Sequence, residues 1–461
     1  MSVSYSAVAK FFERKRFYQR VIVLALPIVI QNFLSSFLNM IDTVMVGKLG
    51  EMEIAAVGLA NQYFFFFNML LIGISAGCGV FVSQFWGKRD AENIRRIVGI
   101  GLGSATLASL VFMILGYLLP KEIIAVFSNE TQIIELGAKY LRIVLASYLF
   151  TGVTFIYSFS LRSLGNTILP MVISGVSLVC NAFFNYVFIF GKFGAPAMGV
   201  EGAALATVIA RVLETTVLVT AVYWQKTVLA ASLRELADVT VEYIKKAYQT
   251  IFPVILNDIC WGLATLVYAA VYGRMGAQAV AAVQIVNTVT NLFMVVIFGL
   301  SNAAAVMVGN SIGAGKIRQG RVYAGKFAMF SVVVGVLLGL LLAAVSPAIL
   351  GLFNVSAQVW DSARRILYIV SVIFAVRILD VMLIVGVLRG GGDAHYAFVI
   401  EGCTMWFIGV PLTIIGAFLL KLPVHLVYAL AIAEEIAKCI FSLRRLRSGL
   451  WMKNVTRNMS L

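Results

Sequence analysis

The sequence predicts an all-α polytopic membrane protein, with twelve transmembrane helices in two six-helix lobes related by a pseudo-two-fold axis along the membrane normal. Three observations predict this fold class. The composition is 61% hydrophobic and 12% charged over 461 residues, whereas soluble domains carry about 25% charged residues. Apolar stretches long enough to cross a bilayer as helices recur from Val21 to Phe441. The two halves of the chain also resemble each other.

Loop signals between the apolar stretches mark the individual helices. The basic segment 1–20 precedes an apolar stretch that is too long for a signal-peptide core and has no small-residue cleavage site, so we expect the first helix to be retained. The twelve helices are predicted near residues 21–45, 53–84, 97–119, 137–160, 170–190, 201–224, 250–272, 279–309, 325–349, 363–388, 396–420 and 423–443.

Basic residues gather in alternate loops, and this asymmetry indicates the orientation of the chain. With the N-terminus inside, Lys88, Arg162, Lys245 and Arg389 fall in inner connections, while the outer loops keep few lysines and arginines. An even number of spans agrees with this orientation. We therefore expect both termini in the cytoplasm and the helices in the cytoplasmic (plasma) membrane of a bacterium.

Five segments follow from these boundaries. A basic cytoplasmic segment precedes the N-lobe, a polar and amphipathic cytoplasmic linker follows it, and a basic cytoplasmic tail follows the C-lobe. The predicted ranges are 1–20 for the first segment, 21–224 for the N-lobe, 225–249 for the linker, 250–443 for the C-lobe and 444–461 for the tail.

The two halves repeat at an offset of 226 residues. The matched pairs are Pro27 with Pro253, Gly47 with Gly273 and Gly50 with Gly276. At an offset of 227 the loop 161–166 overlays the loop 388–393. Halves of six spans run in the same direction, which places the symmetry axis along the membrane normal. Two such bundles form a central cleft that can open to either side, and a transporter needs such a cleft.

The energy source for transport is predicted from the absence of an ATP-binding motif and of a metal-binding pattern in the sequence. The segment Gly309–Ile317 resembles a phosphate-binding loop, but Asn310 and Ile317 stand where the motif needs glycine and Ser or Thr. The cysteines lie singly within apolar segments without C-x-x-C spacing, so we expect no metal site. An ion gradient of H⁺ or Na⁺ is therefore the expected driving force, with no other cofactor and no catalytic residue.

Asp42 is the strongest candidate for the ion site, because carboxylates inside spans are costly and usually functional. No basic residue lies within one helical turn on its inward side, so it would hold a proton or a cation. The alternative is a solvated carboxylate or one paired with Lys48. Asn181 and Asn185 share a face of the fifth helix and Thr207 lies on the sixth; their alternative role is hydrogen bonding between helices.

The C-lobe contributes further polar candidates, which are Asp258, Arg377, Asp380 and Glu401. Arg377 and Asp380 are three residues apart on one helix, so mutual neutralisation is as plausible for them as a role in transport. Glu434, Glu435 and Lys438 are expected to form a local ion-pair cluster. Asp258 and Glu401 cannot be distinguished from polar packing by sequence.

Aromatic and polar residues within the predicted spans could line a cavity for flat lipophilic cations through cation–π contacts. Taken singly, each is as well explained by packing or lipid contact. The cavity candidates are Gln31, Asn32, Tyr63, Phe67, Met69, Tyr157, Phe184, Trp261 and Trp406. Expected partners are cationic or amphipathic small molecules and membrane lipids. Because basic residues are dispersed between helices, we expect no nucleic acid, and we expect a monomer.

Five segments together resemble the multidrug and toxic compound extrusion (MATE) family, closest to its DinF-like and MepA-like branch. They are Ile41–Gly47, Gln84–Lys88, Leu161–Ser163, Gly199–Thr207 and Leu388–Asp393. The resemblance implies twelve helices in two lobes and export of cationic or amphipathic compounds driven by inward Na⁺ or H⁺.

The resemblance also implies a cation site in the N-lobe, formed by Asp42, Asn181, Asn185 and Thr207. Asn185 replaces the acid that the family pattern expects at its position. The site then carries one negative charge instead of two, which favours a protonation switch over Na⁺ coordination and leaves both ions open. Other branches place an acid on the seventh helix, but Asn257 and Asp258 match that position poorly.

Three alternatives differ in the residues that they require. A flippase for lipid-linked intermediates would place several basic side chains in the cleft; Arg142, Arg211, Arg377 and Lys438 approach that description. A narrow-specificity metabolite exporter would share every feature above. An intramembrane enzyme would need a catalytic cluster, which the two histidines and dispersed acids do not supply.

Overall fold

The computed structural model describes residues 2–351, 353, 355–457 and 459, with side chains described from residue 16 onward. Within these residues all the regular secondary structure is helical, and no strand is present. Helices are the expected solution for an apolar chain in a bilayer, because each satisfies its own backbone hydrogen bonds.

Apart from two short helices, Pro120–Ala125 and Leu233–Ala237, the residues that the structure describes form twelve helical elements. The first six are α1 (Ser2–Gly47), α2 (Glu51–Lys88), α3 (Ala91–Leu118), the bent α4 (Thr131–Val144 and Ala146–Ser163), α5 (Ile168–Phe190) and α6 (Val200–Trp224). The second six are α7 (Val241–Met275), α8 (Ala277–Gly313), α9 (Ile317–Leu350), α10 (Ala357–Arg389), α11 (Ala394–Leu419) and α12 (Val424–Ile432 and Glu434–Ser448).

Ten of these helices, among the residues that the structure describes, are individually long and apolar enough to cross a membrane. The two parts of α4 meet the same criterion together and are bent by 52° at their junction. The remaining element, α12, breaks at Ala433 and carries Glu434, Glu435 and Lys438 just after the break. The break divides it into parts of 9 and 15 residues, each too short to span the hydrocarbon alone, whereas the sequence predicts one helix at 423–443.

Several observed helix boundaries differ from the predicted ones. The fourth helix begins at Thr131 instead of 137 and is bent, and α12 continues to Ser448. The seventh helix begins at Val241, which places the second part of the predicted linker 225–249 inside a helix. Val241–Thr250 mixes apolar with charged residues, a pattern that hydropathy assigns to a loop although an amphipathic helix satisfies it equally well.

The linker before α7 is anchored on α3. A short helix, Leu233–Ala237, begins with a capping box in which Ser232 and Glu235 exchange hydrogen bonds. Glu235 also pairs with Arg95 of α3, and Arg96 lies 2.5 Å from Asp238. Hydrogen bonds from Ser232, reinforced by the Arg95 charge, lower the pKa of Glu235. The predicted surface linker is thus a docked segment with defined contacts.

The chain forms two compact units. Unit 1 contains Met1–Val29, Gly87–Arg89 and Leu256–Asn458, and unit 2 consists mainly of Ile30–Trp86 and Asp90–Ile255. The divisions after Val29 and Ile255 come two residues after the helix-interior prolines Pro27 and Pro253. They therefore differ from the predicted lobe limits at 21–224 and 250–443, because the first part of α1 and the first part of α7 each pack with the other half of the sequence.

A glycine in each unit allows the close helix contact that joins these segments to their unit. In unit 2 a Cβ on Gly73 of α2 would lie 2.7 Å from the Cα of Ile255. In unit 1 a Cβ on Gly299 of α8 would lie 2.5 Å from Cγ2 of Val29. Gly73 and Gly299 are 226 residues apart, as are Val29 and Ile255. The repeat found in the sequence therefore reappears as the same close helix contact in each unit.

Candidate functional site

The Asp42 carboxylate lies in unit 2 between α1 and α5. The side-chain nitrogen of Asn185 donates a hydrogen bond to Oδ1 of Asp42 at 2.7 Å. With its amide turned so that the nitrogen faces the carboxylate, Asn181 donates to Oδ2 at 2.9 Å and approaches Oδ1 at 3.2 Å. Both asparagines are buried and Asp42 is partly buried. The acid is therefore held by neutral amides.

Thr207 of α6 completes this group of side chains. In the other amide orientation, the side-chain nitrogen of Asn181 lies 3.5 Å from the Thr207 hydroxyl, which itself donates to the backbone oxygen of Ala203 at 3.0 Å. Tyr140 of α4, which is buried, lies beside the Thr207 hydroxyl. The structure thus brings together all four residues predicted for the ion site and adds Tyr140, which sequence analysis did not select.

Helix geometry explains why these residues meet. Asn181 and Asn185 are four residues apart and share one face of α5. The helix ends at Gly191, whose φ of 64° lies in the left-handed region that glycine adopts without steric cost. Lys48, the basic residue considered as an alternative partner of Asp42, follows the end of α1 and is not among its observed partners in the described chain. The basic side chain whose charge reaches Asp42 is Arg211.

A second polar group lies further along the same helices. Arg211 of α6 pairs through Nη1 with Oε2 of Glu214 at 2.8 Å. The Ser174 hydroxyl of α5 donates to Oε1 of Glu214 at 2.6 Å and accepts from the Gln31 side-chain nitrogen at 2.9 Å. Nη2 of Arg162 donates to the Gln31 oxygen at 2.7 Å. These five side chains form one continuous hydrogen-bonded chain, which we call the inner polar layer.

The predicted cavity residues fall into both units. In unit 2, Phe67 is fully buried and stacks on Tyr148 with ring centroids 4.5 Å apart, and the Tyr63 hydroxyl donates to the backbone oxygen of Phe112 at 2.8 Å. Gln31 and Tyr157 are buried, and Asn32, Met69 and Phe184 are partly buried. In unit 1, Trp261 is exposed and Trp406 donates to the backbone oxygen of Cys260 at 3.3 Å. Their role as cavity walls stays a prediction.

The C-lobe candidates belong to a cluster of charges in unit 1. Asp258 pairs with Arg389 at 2.6 Å, and Glu401 accepts a hydrogen bond from Asn257 at 2.5 Å. Lys438 lies 3.2 Å from Glu434, as expected for the ion-pair cluster on α12, whereas Glu435 of the expected cluster pairs with Arg377 of α10.

Mutual neutralisation of Arg377 and Asp380, which the sequence left open, is not observed. Arg377 does not neutralise Asp380: its Nε lies 3.4 Å from Glu435 of α12, and neither carboxylate oxygen of Asp380 has a hydrogen-bond partner among the described residues. Both Asp380 and Glu435 are buried. Residues three apart share a helix face, but α12 packs against α10 and offers Arg377 an acid that sequence spacing does not reveal.

Ser174 and Glu214 were missed by sequence analysis, although a signal for them exists. Ser174 precedes Asn181 by seven residues and Glu214 follows Thr207 by seven, which is two helical turns in each case. Gln31 precedes Asp42 by eleven residues, or three turns. A search for polar residues that recur on the faces carrying the ion site would have found the inner polar layer.

The fold and these buried polar groups define a multi-pass membrane transporter built from two related six-helix halves. A family model described as MatE matches residues 27–187 and 253–415. The two matched segments begin at Pro27 and Pro253, which have the 226-residue offset of the repeat. The chain belongs to the MatE family. Proteins of this family are transporters, so the prediction that this chain is not an enzyme is confirmed.

Curated relatives match along almost the whole chain. A probable multidrug resistance protein NorM from Thermotoga maritima is 28% identical over 446 residues, which cover 94% of this chain and 93% of that protein. An uncharacterized transporter, YisQ, from Bacillus subtilis is 24% identical over 93% of both chains. The resemblance drawn from the five sequence segments is therefore confirmed at the level of the family.

Solved structures share the fold. The Vibrio cholerae MATE transporter VcmN, in a mutant form, superposes with a TM-score of 0.87 at 17% identity, covering 96% of this chain and 98% of that one. A superfamily transporter from Pyrococcus furiosus, described as having a binding pocket of reversed polarity, gives a TM-score of 0.83 at 19% identity, with coverage of 93% and 95%. The predicted fold class of twelve helices in two lobes is confirmed.

Proposed function

We propose that this protein is a secondary antiporter that exports cationic or amphipathic small molecules in exchange for H⁺ or Na⁺. It acts in the plasma membrane of a bacterium with both termini in the cytoplasm, as the distribution of basic residues predicts. Asp42 holds the coupling ion. The observation that supports this assignment is the Asp42 carboxylate itself, which has neutral amides and not a basic side chain as its hydrogen-bond partners within a span.

The two asparagines suit a site that must be stable with and without an ion. A carboxylamide has both a donor and an acceptor group. When Asp42 is ionised and empty, Asn181 and Asn185 donate to its oxygens. When a cation enters, either amide can turn its oxygen toward the ion, with the Thr207 hydroxyl as a further ligand. A proton on Asp42 needs only an acceptor, which the same amide oxygens supply.

Transport follows if the ion and the exported molecule bind to different states of the protein. Alternating access requires that the binding site open to one side of the membrane at a time, and exchange requires that the ion and the exported molecule are not carried together. Neutralising Asp42 removes the electrostatic reason for its contact with the Asn185 amide, so ion binding can alter how α1 packs on α5. Several relatives are named as probable multidrug resistance proteins, and this similarity supports export of foreign compounds.

The pairing of basic residues favours an antiporter over a flippase for lipid-linked intermediates. A flippase needs free positive charge for a pyrophosphate group. Arg211 pairs with Glu214, Arg377 with Glu435 and Lys438 with Glu434. Three of the four basic residues considered for such a site are therefore already neutralised.

The test is efflux of ethidium from proteoliposomes under a pH gradient and, separately, under a Na⁺ gradient. We expect efflux under one of these gradients and a fall to the protein-free leak rate in Asp42→Asn, with unchanged size-exclusion behaviour. The matched control is Glu122→Gln, which removes an exposed carboxylate from a short helix and should change nothing. Coupled efflux at the wild-type rate in Asp42→Asn would overturn the assignment.

A further inference from the structure

The inner polar layer repeats the arrangement of the ion site on the same three helices. Gln31 lies three turns before Asp42 on α1, and Ser174 lies two turns before Asn181 on α5. Glu214 follows Thr207 by two turns on α6. The two residues of each pair share a helix face. The helices α1, α5 and α6 therefore carry two groups of polar side chains, the ion site and the inner polar layer, at two levels along the helix axes. The second contains a carboxylate, Glu214, that the proposed transport mechanism does not use.

Glu214 is buried, and each of its carboxylate oxygens accepts a hydrogen bond from a side chain. It is 2% exposed, and its two oxygens accept from Arg211 at 2.8 Å and from Ser174 at 2.6 Å. Ser174 is itself held by Gln31, and Gln31 by Arg162. A buried carboxylate is stable when its lone pairs are satisfied in this way. The Glu214 carboxylate is therefore held in one position, where a basic side chain can pair with it.

Along α6, Arg211 lies between Thr207 of the ion site and Glu214 of the inner polar layer. It follows Thr207 by four residues and precedes Glu214 by three, so it shares their face of α6. Its side chain is 31% exposed, whereas that of Glu214 is 3% exposed, so the arginine has room to turn and the glutamate does not. A guanidinium has five N–H donors, and the bond to Glu214 uses one of them. Its charge already acts on Asp42 and on Tyr140.

The charges of the two groups balance without an ion. Asp42 and Glu214 contribute two negative charges, and Arg162 and Arg211 contribute two positive charges. Of these four groups, Arg211 pairs with Glu214 on α6 and acts by its charge on Asp42 of α1, and its charge also acts on Tyr140 of α4. With Asn185 at the position of a possible second acid, this set is neutral when empty and gains a positive charge when a cation binds.

We propose that Arg211 is a tethered counter-cation, which pairs with Glu214 while the coupling ion occupies Asp42 and turns toward Asp42 when the ion leaves. This inference rests on the proposed function of Asp42. An empty carboxylate within a span is unstable, and a guanidinium on the facing helix can stabilise it without a second ion. Glu214 then sets the affinity of the site, because it holds Arg211 away from Asp42. Arg211 is thus a positioning residue that competes with the ion.

The test measures ion binding to the purified protein in detergent, without any transported compound. A bound ion stabilises the folded protein by RT ln(1 + [ion]/Kd), so the half-saturating concentration is obtained by fitting this relation to thermal unfolding measured against Na⁺ concentration at fixed pH and against pH without Na⁺. Arg211→Gln removes the competitor and should lower the half-saturating ion concentration by about tenfold or more. Glu214→Gln releases Arg211 toward Asp42 and should raise that concentration by about the same factor.

The double variant separates this mechanism from a general disturbance of the site. Without Arg211, Glu214 has no competitor to hold back, so Arg211→Gln/Glu214→Gln should bind the ion like Arg211→Gln alone. Arg211→Lys, which keeps the charge, should stay near the wild-type value. Arg142→Gln is the matched control, because it removes an exposed arginine from α4 of the same unit. Arg211→Gln should also lower the rate of coupled ethidium efflux despite its tighter ion binding, because release slows.

The outcomes separate the two proposals. If Asp42→Asn still shows the ion-dependent shift, the ion site itself is elsewhere and the proposed function of Asp42 fails. If Asp42→Asn loses the shift while Arg211→Gln binds like the wild type, the competition is refuted and the ion site stands. An effect of Glu214→Gln that persists in the double variant would also refute it, because Glu214 would then act without Arg211. Should Glu214→Gln fail to fold, Arg211→Gln and Arg211→Lys decide alone.

Discussion

Replacing Asn185 with Asp should convert the ion site from one carboxylate to two. The side-chain nitrogen of Asn185 lies 2.7 Å from Oδ1 of Asp42 and donates a hydrogen bond to it. The substitution keeps the shape of the side chain and places a carboxylate oxygen where that nitrogen stands. The substitution therefore removes the hydrogen bond to Asp42 and introduces repulsion between two carboxylates. A cation bound between the two carboxylates would offset both effects.

The size of the effect follows from the geometry. Two unit charges about 4 Å apart interact by about 4 kcal/mol at an effective dielectric constant of about 20. The lost hydrogen bond to a charged group adds about 1.5–3 kcal/mol. Asp42 is only partly buried, so solvent screening reduces the total, and we retain about 3 kcal/mol. Since each 1.4 kcal/mol is about a tenfold change in affinity, we expect Na⁺ to bind roughly a hundredfold more tightly.

The assay is the Na⁺-dependent rise in unfolding temperature of the purified protein, compared between the wild type and Asn185→Asp at one pH. Asn61→Asp is the matched control, because it makes the same chemical change at an exposed position of α2 and should leave the Na⁺ response unchanged. An unchanged Na⁺ response in a folded Asn185→Asp variant would refute the reasoning. It would mean that residue 185 and Asp42 do not share an ion, whatever their distance in the structure.

The remaining predictions concern the tail and the linker. Trp451 is fully buried, so Trp451→Ala should destabilise the protein by about 3 kcal/mol or more in chemical unfolding, whereas Trp224→Ala, at an 85% exposed position, should have little effect; equal effects would contradict the packing of the tail. Hydrogen bonds from Ser232, with the Arg95 charge, lower the pKa of Glu235. The stabilisation of the linker is therefore complete above about pH 5, beyond the unfolded value near 4.3, and is lost as the pH falls through the lowered pKa. Amide exchange in Leu233–Ala237 should rise over that range, and exchange that does not depend on pH beyond its intrinsic rate would contradict it.

The sequence by itself determined the class, the family and most of the helices. Hydrophobic length decides whether a segment can span a bilayer, and this property belongs to consecutive residues. The repeat is also a property of the sequence, and it appears again in the two close contacts of Gly73 with Ile255 and Gly299 with Val29. Asp42 was found by the same reasoning, because an acid in an apolar segment is conspicuous without any knowledge of its neighbours.

Only the tertiary structure decided which polar groups meet. The partner of Arg377 is Glu435 on another helix and not Asp380 on its own. The link between Glu214 and Ser174 depends on how α5 and α6 are rotated toward each other, which the sequence alone does not show. Rotation and contact of helices follow from the packing of all side chains at once.

The same reason explains the differences in boundaries. Hydropathy gives the length of an apolar segment but not where a helix bends, so the 52° bend in α4 was not predicted. It predicts the twelfth helix near 423–443, but not its break at Ala433 or its continuation to Ser448. The divisions of the compact units after Val29 and Ile255 depend on contacts between distant segments. Local composition determines which segments are helices in the membrane, and contacts between distant residues determine what those helices do together.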